Sequence, residues 1–483
     1  VVVVNKIDRP GARPMEVVDE TLELFMELGA TAEQLDFPVV YASAKEGIAG
    51  MEPDELGTDM QAVFDTIISA IPAPACDTEA PLQILFSTID YDDYVGRIGI
   101  GRMERGIARR NQMGTMCGGT ANAVRTVKLS RLYRYEGLKR VEVEEAYAGD
   151  IVAVAGIADL SIGETACAPE CVEPMPFVHI DEPTVSMMFM VNDSPFAGKE
   201  GKYVTSRNLR DRLMKEVETN VSMRVEETGT TDTFKVSGRG ELHLSILIEQ
   251  MRRQDYEFAV SRPKVILKQD EQGHTLEPIE ELTVDVPSEY VGSVMEKLGS
   301  RKAELVDMHT ENEGSTRLLF NIPARSLMGY RSELLTDTRG NGVMSHIFHG
   351  YELYKGDIEE RERGSLVCSE TGETNSYGLF NTQDRGRLFV GPGVPVYEGE
   401  VVGECSRGDD IVVNVCKKKH VTNMRAAGSD EALRLTPPTI LSLEQCLEFI
   451  ADDELVEVTP KNIRMRKRIL SKEMRMKQAA KNN

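Results

Sequence analysis

Val1-Val2-Val3-Val4-Asn5-Lys6-Ile7-Asp8 is the stretch on which the fold turns. The valines read as a buried β-strand, and the turn after it presents three polar side chains with separate jobs. A carboxylate at Asp8 can accept two hydrogen bonds, which suits N1–H and the exocyclic amino group of guanine. Adenine would leave it unpaired at a cost of roughly 2–4 kcal/mol. Asn5 can tie the turn together and reach the imidazole edge of the base, while the Lys6 stem can lie on its flat face. A second short apolar run, Phe37 to Ala42, leads into Ser43-Ala44-Lys45, 38 residues beyond Asn5. In such a turn the Ala44 N–H can reach guanine O6 and the lysine stem can cover the other face. Two half-motifs in this order, each after a strand, make Asn5, Lys6, Ile7, Asp8, Ser43, Ala44 and Lys45 the candidate nucleotide-binding residues.

The surrounding pattern is α/β. Val18, Leu22 and Phe25 step at helical spacing, as do Met60, Val63, Phe64, Ile67, Ile68 and Ile71, and Pro72 and Pro74 stop the second helix. At 483 residues the chain exceeds one core, and about 100–150 residues per domain predicts three to five. An apolar fraction of 41% with ordinary Gly and Pro usage argues for globular structure rather than disorder or fibre. No apolar run reaches the ~20 residues that cross a bilayer, so no membrane partner is expected and a cytoplasmic location is. Eight scattered cysteines suit buried thiols. The close pair Cys167 and Cys171 has the wrong spacing for a zinc or redox motif, and no metal site is assigned.

Net charge is −23, which taken whole opposes nucleic acid. Its distribution does not. Eleven Lys or Arg and two acids lie between Arg97 and Arg140, and eight against one between Lys461 and Lys477. Local basic strips on an acidic body suit contact with phosphate at chosen points.

From Leu82 to about Pro176, short β-rich runs broken by Gly predict a small antiparallel barrel. Two later stretches, Val185–Val260 and Leu276–Tyr354, each read strand, helix, strand, strand, helix, strand, which predicts two ferredoxin-like units. His243 opens a helix with no second ligand at metal spacing and is read as a structural or capping histidine. From Gly356 the chain reads mostly as strands with Gly-rich turns, then a helix at Leu443–Ile450 and a basic tail. The polar, aperiodic segment Lys417-Lys418-Lys419-His420-Val421-Thr422-Asn423-Met424-Arg425 follows an apolar strand and must be an exposed loop. Its charges and amide suit a single-stranded RNA end.

Several of these segments resemble known proteins. Val95 to Gly106 resembles the strand signature of domain II in translational GTPases, which dock on the small ribosomal subunit through that barrel. Ser237 to Lys264 and Glu277 to Tyr351 resemble elongation factor G and LepA. Gly386-Arg387-Leu388-Phe389-Val390-Gly391-Pro392-Gly393, the lysine loop, Leu435-Thr436-Pro437-Pro438 and Asp452 to Pro460 resemble the C-terminal domain special to the BipA/TypA family of ribosome-associated translational GTPases. The resemblance covers essentially the whole chain.

It implies a multi-domain α/β and β fold. The parts are a remnant of a P-loop GTPase domain (1–72), a β-barrel domain II (73–176), a ferredoxin-like domain III (177–266), a ferredoxin-like equivalent of domain V (267–355) and a β-rich BipA-type C-terminal domain (356–483). It also implies GTP hydrolysis on the ribosome, action in stress or cold adaptation and large-subunit assembly, and contact with both subunits and their rRNA as a monomer. The C-terminal loop, here Lys417, Lys418, Lys419, His420, Asn423 and Arg425, would reach the acceptor end of A-site tRNA. One departure stands out. No G-x-x-x-x-G-K-[ST] occurs in the sequence, and Asp54-Glu55-Leu56-Gly57 imitates a switch motif but follows the guanine motif instead of preceding it. The reading is therefore an N-terminally truncated GTPase: GTP or GDP as ligand, Mg²⁺ in the full-length protein only, and no catalytic residue to name. The alternative is a non-catalytic ribosome- or RNA-binding module.

Overall fold

The computed structural model describes all residues except 74–75, 93, 120–123, 158, 178–181, 311–313, 359–362, 419–433 and 483. The N-terminal valines form the strand Val2–Asn5, which pairs in parallel with Val39–Ser43; Ile48–Gly50 runs antiparallel beside the latter. Helices Pro14–Glu27 and Gln61–Ala70 accompany this three-stranded sheet. Its core is small, built on Val40, Ala42, Ala49 and Val63. Of the apolar stripe read on the second helix, Phe64, Ile67 and Ile68 are exposed and Val63 is buried.

Between Gln83 and Cys167 the only helices or strands of the described chain are strands, as the Gly-broken β pattern predicts. Eight strands form one antiparallel sheet running from Lys139–Glu142 at one edge to Arg125–Lys128 at the other. Among the described residues those two edge strands do not pair, so where a barrel was expected the strands form an open antiparallel ladder. Alternate residues such as Ile84, Phe86, Met103, Met116, Val152 and Val154 fill its core.

Each of the next two regions has the strand, helix, strand, strand, helix, strand order. In the first, Arg224–Glu227, Thr233–Gly238, Val185–Val191 and Phe258–Ser261 lie side by side. In the second the order is Glu304–Thr310, Ser315–Pro323, Thr275–Pro287 and Val343–Leu353. Both follow the sequence 2-3-1-4 of the unit's own strands. The helix expected over Ala324–Thr336 is two pieces, Ala324–Leu327 and Tyr330–Asp337, because Gly329 between them takes a left-handed φ of 73°.

The C-terminal region does not stand apart. Its strand Glu454–Val458 pairs antiparallel with Phe258–Ser261 of the first unit, and the ladder continues through Ile463–Lys467, Glu400–Cys405, Ser365–Cys368 and Ile411–Val413. An eleven-stranded sheet results. One hydrophobic core joins Phe189, Leu213, Ile248 and Phe258 to Leu443, Leu447, Val456 and Met465 across this seam. The helix Ser376–Gln383, capped by the Asn375 side chain, lies where strands were expected. The basic tail is likewise structure: Ile463–Lys467 is an inner strand, and helix Lys472–Asn482 follows.

Candidate functional site

The two half-motifs separated by 38 residues in sequence meet at the ends of adjacent parallel strands, where Asn5 sits opposite Ala42. The Asn5 carboxamide oxygen accepts from Lys6 N–H at 2.8 Å and from Ala44 N–H at 3.0 Å. One side chain thus ties its own turn and the turn after the neighbouring strand, as its place in the motif requires. Lys6 takes a φ of 66°, a left-handed conformation that turns the chain sharply off the strand. The second turn is closed by Glu46 and Gly47 N–H donating to Ser43 O at 3.1 and 2.9 Å.

Ser43 is fully buried beneath this corner, whereas Asn5, Lys6, Asp8, Ala44 and Lys45 are exposed and Ile7 is half-buried. The Ser43 hydroxyl lies close enough to Asp8 to favour the ionised carboxylate, although it makes no hydrogen bond of standard geometry. With help from Asp8's own N–H, Lys45 and Arg9, it holds the Asp8 carboxyl below the usual carboxylate range. Asp8 is therefore an ionised acceptor facing water, the state that pairs with two N–H donors. One expectation changes. The Ala44 N–H is already engaged by Asn5, so a base oxygen would have to share that donor. A groove of about 450 Å³ beside the corner is lined by Asn5, Lys6, Ile7, Arg9 and the first turn of helix Pro14–Glu27; Asp8 and Lys45 are not part of its wall.

Of the C-terminal loop, Lys417 and Lys418 are exposed just after strand Ile411–Val413. Lys419, His420, Asn423 and Arg425 lie outside the described residues.

Both basic strips read differently once partners are visible. In the tail, Arg464 meets Glu200 at 2.9 Å and Glu457 at 3.5 Å, Arg466 is buried against Asp193, and the buried Lys467 amine meets Glu454 at 3.0 Å and Asp453 at 2.8 Å. These cations are fold-holding and face inward. Along the other strip, Arg97, Arg109, Arg110, Arg125, Arg134 and Arg140 are each paired with an acid. His243 accepts from Arg239 N–H at its Nδ1 (3.4 Å) and touches the Asn220 amide through Nε2 (2.7 Å), with burial pushing its pKa down. Of the two roles read from its position, structural or capping, this is the structural one, since the helix's N-cap Gly240 receives no side-chain cap.

Sequence reasoning missed a buried polar cluster at the seam between the first βαββαβ unit and the C-terminal strands. Fully buried Glu457 accepts from Asn192 Nδ2 and Ser194 Oγ at 2.9 Å each and from the Tyr397 hydroxyl. Asn192 also donates to buried Glu257 at 2.9 Å. No local signal marks this cluster, because Asn192, Ser194 and Tyr397 lie 60 to 265 residues from Glu457.

Comparison with known proteins places these parts together. Residues 363–472 match the family described as TypA/BipA C-terminal domain, residues 274–362 the Elongation factor G C-terminus, and residues 96–167 Elongation factor Tu domain 2. The protein named Large ribosomal subunit assembly factor BipA from Bacillus subtilis (strain 168) is 51% identical over 484 residues, covering 100% of this chain and 78% of that protein. The Salmonella typhimurium protein of the same name is 50% identical over 472 residues, covering 98% and 77%, and that of Haemophilus influenzae is 49% identical, covering 98% and 76%. A crystal structure of a protein from Thermus thermophilus is 20% identical with a TM-score of 0.42, over 71% of this chain and 68% of its own. Half-identity sustained over the whole length of this chain makes it a member of the BipA family.

Proposed function

We propose that this protein is an assembly factor of the large ribosomal subunit whose action is governed by guanine nucleotide. The observation that carries the nucleotide half is the Asn5 bridge to Ala44 N–H, which sets an exposed, ionised Asp8 beside Lys45 as a base-reading corner. Family membership at about half identity supports the ribosomal half. In this reading Asn5, Lys6, Ile7, Asp8, Ser43, Ala44 and Lys45 hold the base of GTP or GDP. GTP hydrolysis with Mg²⁺ is the activity the family reading implies, and the residues of this chain supply base recognition rather than phosphate chemistry. Residues 1–72 act as the nucleotide-domain portion, 73–176 as domain II, 177–266 and 267–355 as the two ferredoxin-like domains and 356–483 as the C-terminal domain. Lys417, Lys418, Lys419, His420, Asn423 and Arg425 contact the acceptor end of A-site tRNA, and the protein works in the cytoplasm as a monomer.

Two measurements test this. Sucrose-gradient profiles of cells depleted of the protein should show large-subunit precursors that disappear on re-expression; an unchanged profile overturns the ribosomal half. Asp8→Asn should move base preference from GTP toward XTP, since an amide donates to the xanthine 2-oxo group, by the equivalent of roughly 2–4 kcal/mol. Competition binding of the two nucleotides reads this directly, and an unchanged GTP preference would remove Asp8 from the base.

A further inference from the structure

The connection from strand Val185–Val191 into helix Ser206–Thr219 is unlike the rest of this acidic molecule. Its acids are mostly consumed by the fold: Glu200 accepts from Arg464 and Asn462, and Asp193 pairs with buried Arg466. Its cations are not. Lys199, Lys202 and Arg207 are all exposed. The Lys199 amine stands 4.3 Å from the Phe196 ring centre and the Lys202 amine 5.3 Å from that of Tyr203, so both rest on aromatic faces that hold them outward without neutralising them. The Arg207 side chain is 91% exposed and meets Asp211 only at 3.8 Å.

The first turns of the helix that follows, with Ser206, Arg207, Arg210 and Asp211, form one wall of an open cavity of about 700 Å³. Opposite Arg207 stands the turn Thr228-Gly229-Thr230-Thr231, with open space at Gly229; its Thr228 hydroxyl donates to Thr233 O at 2.8 Å and its Thr231 carbonyl accepts from the Ser206 hydroxyl. The cavity's other arginine, Arg210, is held by Glu227 at 2.7 Å, which leaves Arg207 as the outward cation of the wall. Exposed cations on the connection and the first helical turn, beside an open hollow whose acids Asp211 and Glu227 face Arg207 and Arg210, suit the outer contact of a phosphodiester backbone. Hydroxyls and backbone N–H groups fix the strand while Lys and Arg neutralise it, and no base need be read. In a protein carrying 79 acids against 56 Lys and Arg, an acidic protein partner would meet repulsion over most of the surrounding surface, whereas a polyanion threaded along this one strip meets it only at the rims.

We infer that Lys199, Lys202 and Arg207, with the Thr228–Thr231 turn, form a second RNA-backbone contact of this protein, on its first βαββαβ unit and separate from the lysine loop. The inference rests on the ribosomal reading above and deepens it. Sedimentation with purified large ribosomal subunits across about 50–200 mM salt tests it, comparing three forms of the whole chain. These are the unaltered protein, the triple variant Lys199→Ala, Lys202→Ala, Arg207→Ala, and the charge-keeping triple Lys199→Arg, Lys202→Arg, Arg207→Lys, each shown to melt like the parent. At about 0.7 log unit of slope per lost phosphate contact, the Ala triple should flatten the salt dependence by about 2, while the charge-keeping triple retains it. An Ala triple with the parental affinity and slope overturns the inference. Weaker binding with an unchanged slope also overturns it, in favour of a protein contact. If the unaltered chain itself fails to bind subunits, the ribosomal reading falls and takes this inference with it.

Discussion

In the first βαββαβ unit the fourth strand, Phe258–Ser261, is paired on both sides, by Val185–Val191 and by Glu454–Val458. In the second unit the corresponding strand Val343–Leu353 pairs with Thr275–Pro287 on one side and, among the described residues, with nothing on the other. One topology therefore has two fates. The first unit is half of a larger body, with a shared sheet, a shared core and the buried Glu457 cluster at the seam. The second keeps a core of its own around Leu282, Val284, Leu318, Phe320 and Leu334, and leaves both edges open, with Val343, Ile347 and all of Glu304–Thr310 exposed. It meets the C-terminal region through side chains, as where the Ser332 hydroxyl donates to Glu448 at 3.1 Å. A backbone ladder cannot slide without breaking many hydrogen bonds at once, whereas a few side-chain contacts can re-form. The sheet topology thus assigns rigidity to one joint and adjustability to the other.

The strongest way to break this comparison is at Glu457. Glu457→Ala strands the Asn192 amide, the Ser194 and Tyr397 hydroxyls and Arg464 in the interior, and breaking a buried network of this kind costs about 3–5 kcal/mol. Denaturation followed by probes in each region should show the first unit and the C-terminal strands losing stability together, while the second unit's transition stays in place. The converse is Leu334→Ala, a buried truncation in the separate core, worth about 2–5 kcal/mol. It should lower the second unit's transition alone; a parallel loss at the seam would mean the two cores are coupled.

Titration sharpens the picture at the seam. Burial, reinforced by the Glu457 charge, pushes Glu400 up to about 8 from an ordinary value of 4.5. A carboxyl whose folded pKa exceeds its unfolded one stabilises in its protonated form. That contribution is complete below about pH 4.5 and is lost as pH rises toward 8. Glu241, pushed up to about 7 chiefly by burial, has the same sign. Glu400→Gln keeps an acceptor for Tyr397 N–H and should therefore stabilise the seam by about 1–3 kcal/mol at pH 8–9 and by little at pH 5. A constant difference across that range would show that Glu400 does not change charge there. The smallest effect belongs to the adjustable joint. Ser332→Ala removes one hydrogen bond to Glu448 and should cost about 1 kcal/mol or less, read as a slight loosening of the second unit in thermal melts.

What the sequence reveals follows from the range of the forces involved. The meeting of the Asn5 and Ala44 turns is legible because these residues sit at strand ends, and the backbone carries Asn5 to Ala44 whenever those two strands pair. Both βαββαβ units are legible because period 2 and period 3.6 alternate in order along the chain. The tail reads as a basic surface because counting charge in Lys461–Lys477 sees Arg464 and Lys467 but not Glu200 or Asp410, which only the fold brings near. The helix Ser376–Gln383 escapes because it buries Gly378, Leu379 and Thr382 rather than a long apolar stripe, and its one clear signal is the Asn375 cap. The continuity of the sheet through Phe258–Ser261 is illegible for the same reason as the tail: pairing with Glu454–Val458 spans about two hundred residues and leaves no periodic trace.

Native-state hydrogen exchange tests the shared body most directly. The amides of Phe258–Ser261 and Glu454–Val458 should exchange with one common opening free energy, among the highest in the molecule, and Glu457→Ala should lower both by the same amount. Val343–Leu353 and Glu304–Thr310 should open more easily and be unmoved by that substitution. If Glu454–Val458 instead exchanges with its own lower free energy while Phe258–Ser261 stays protected, the C-terminal strands are a separate body resting against the first unit, and the account fails.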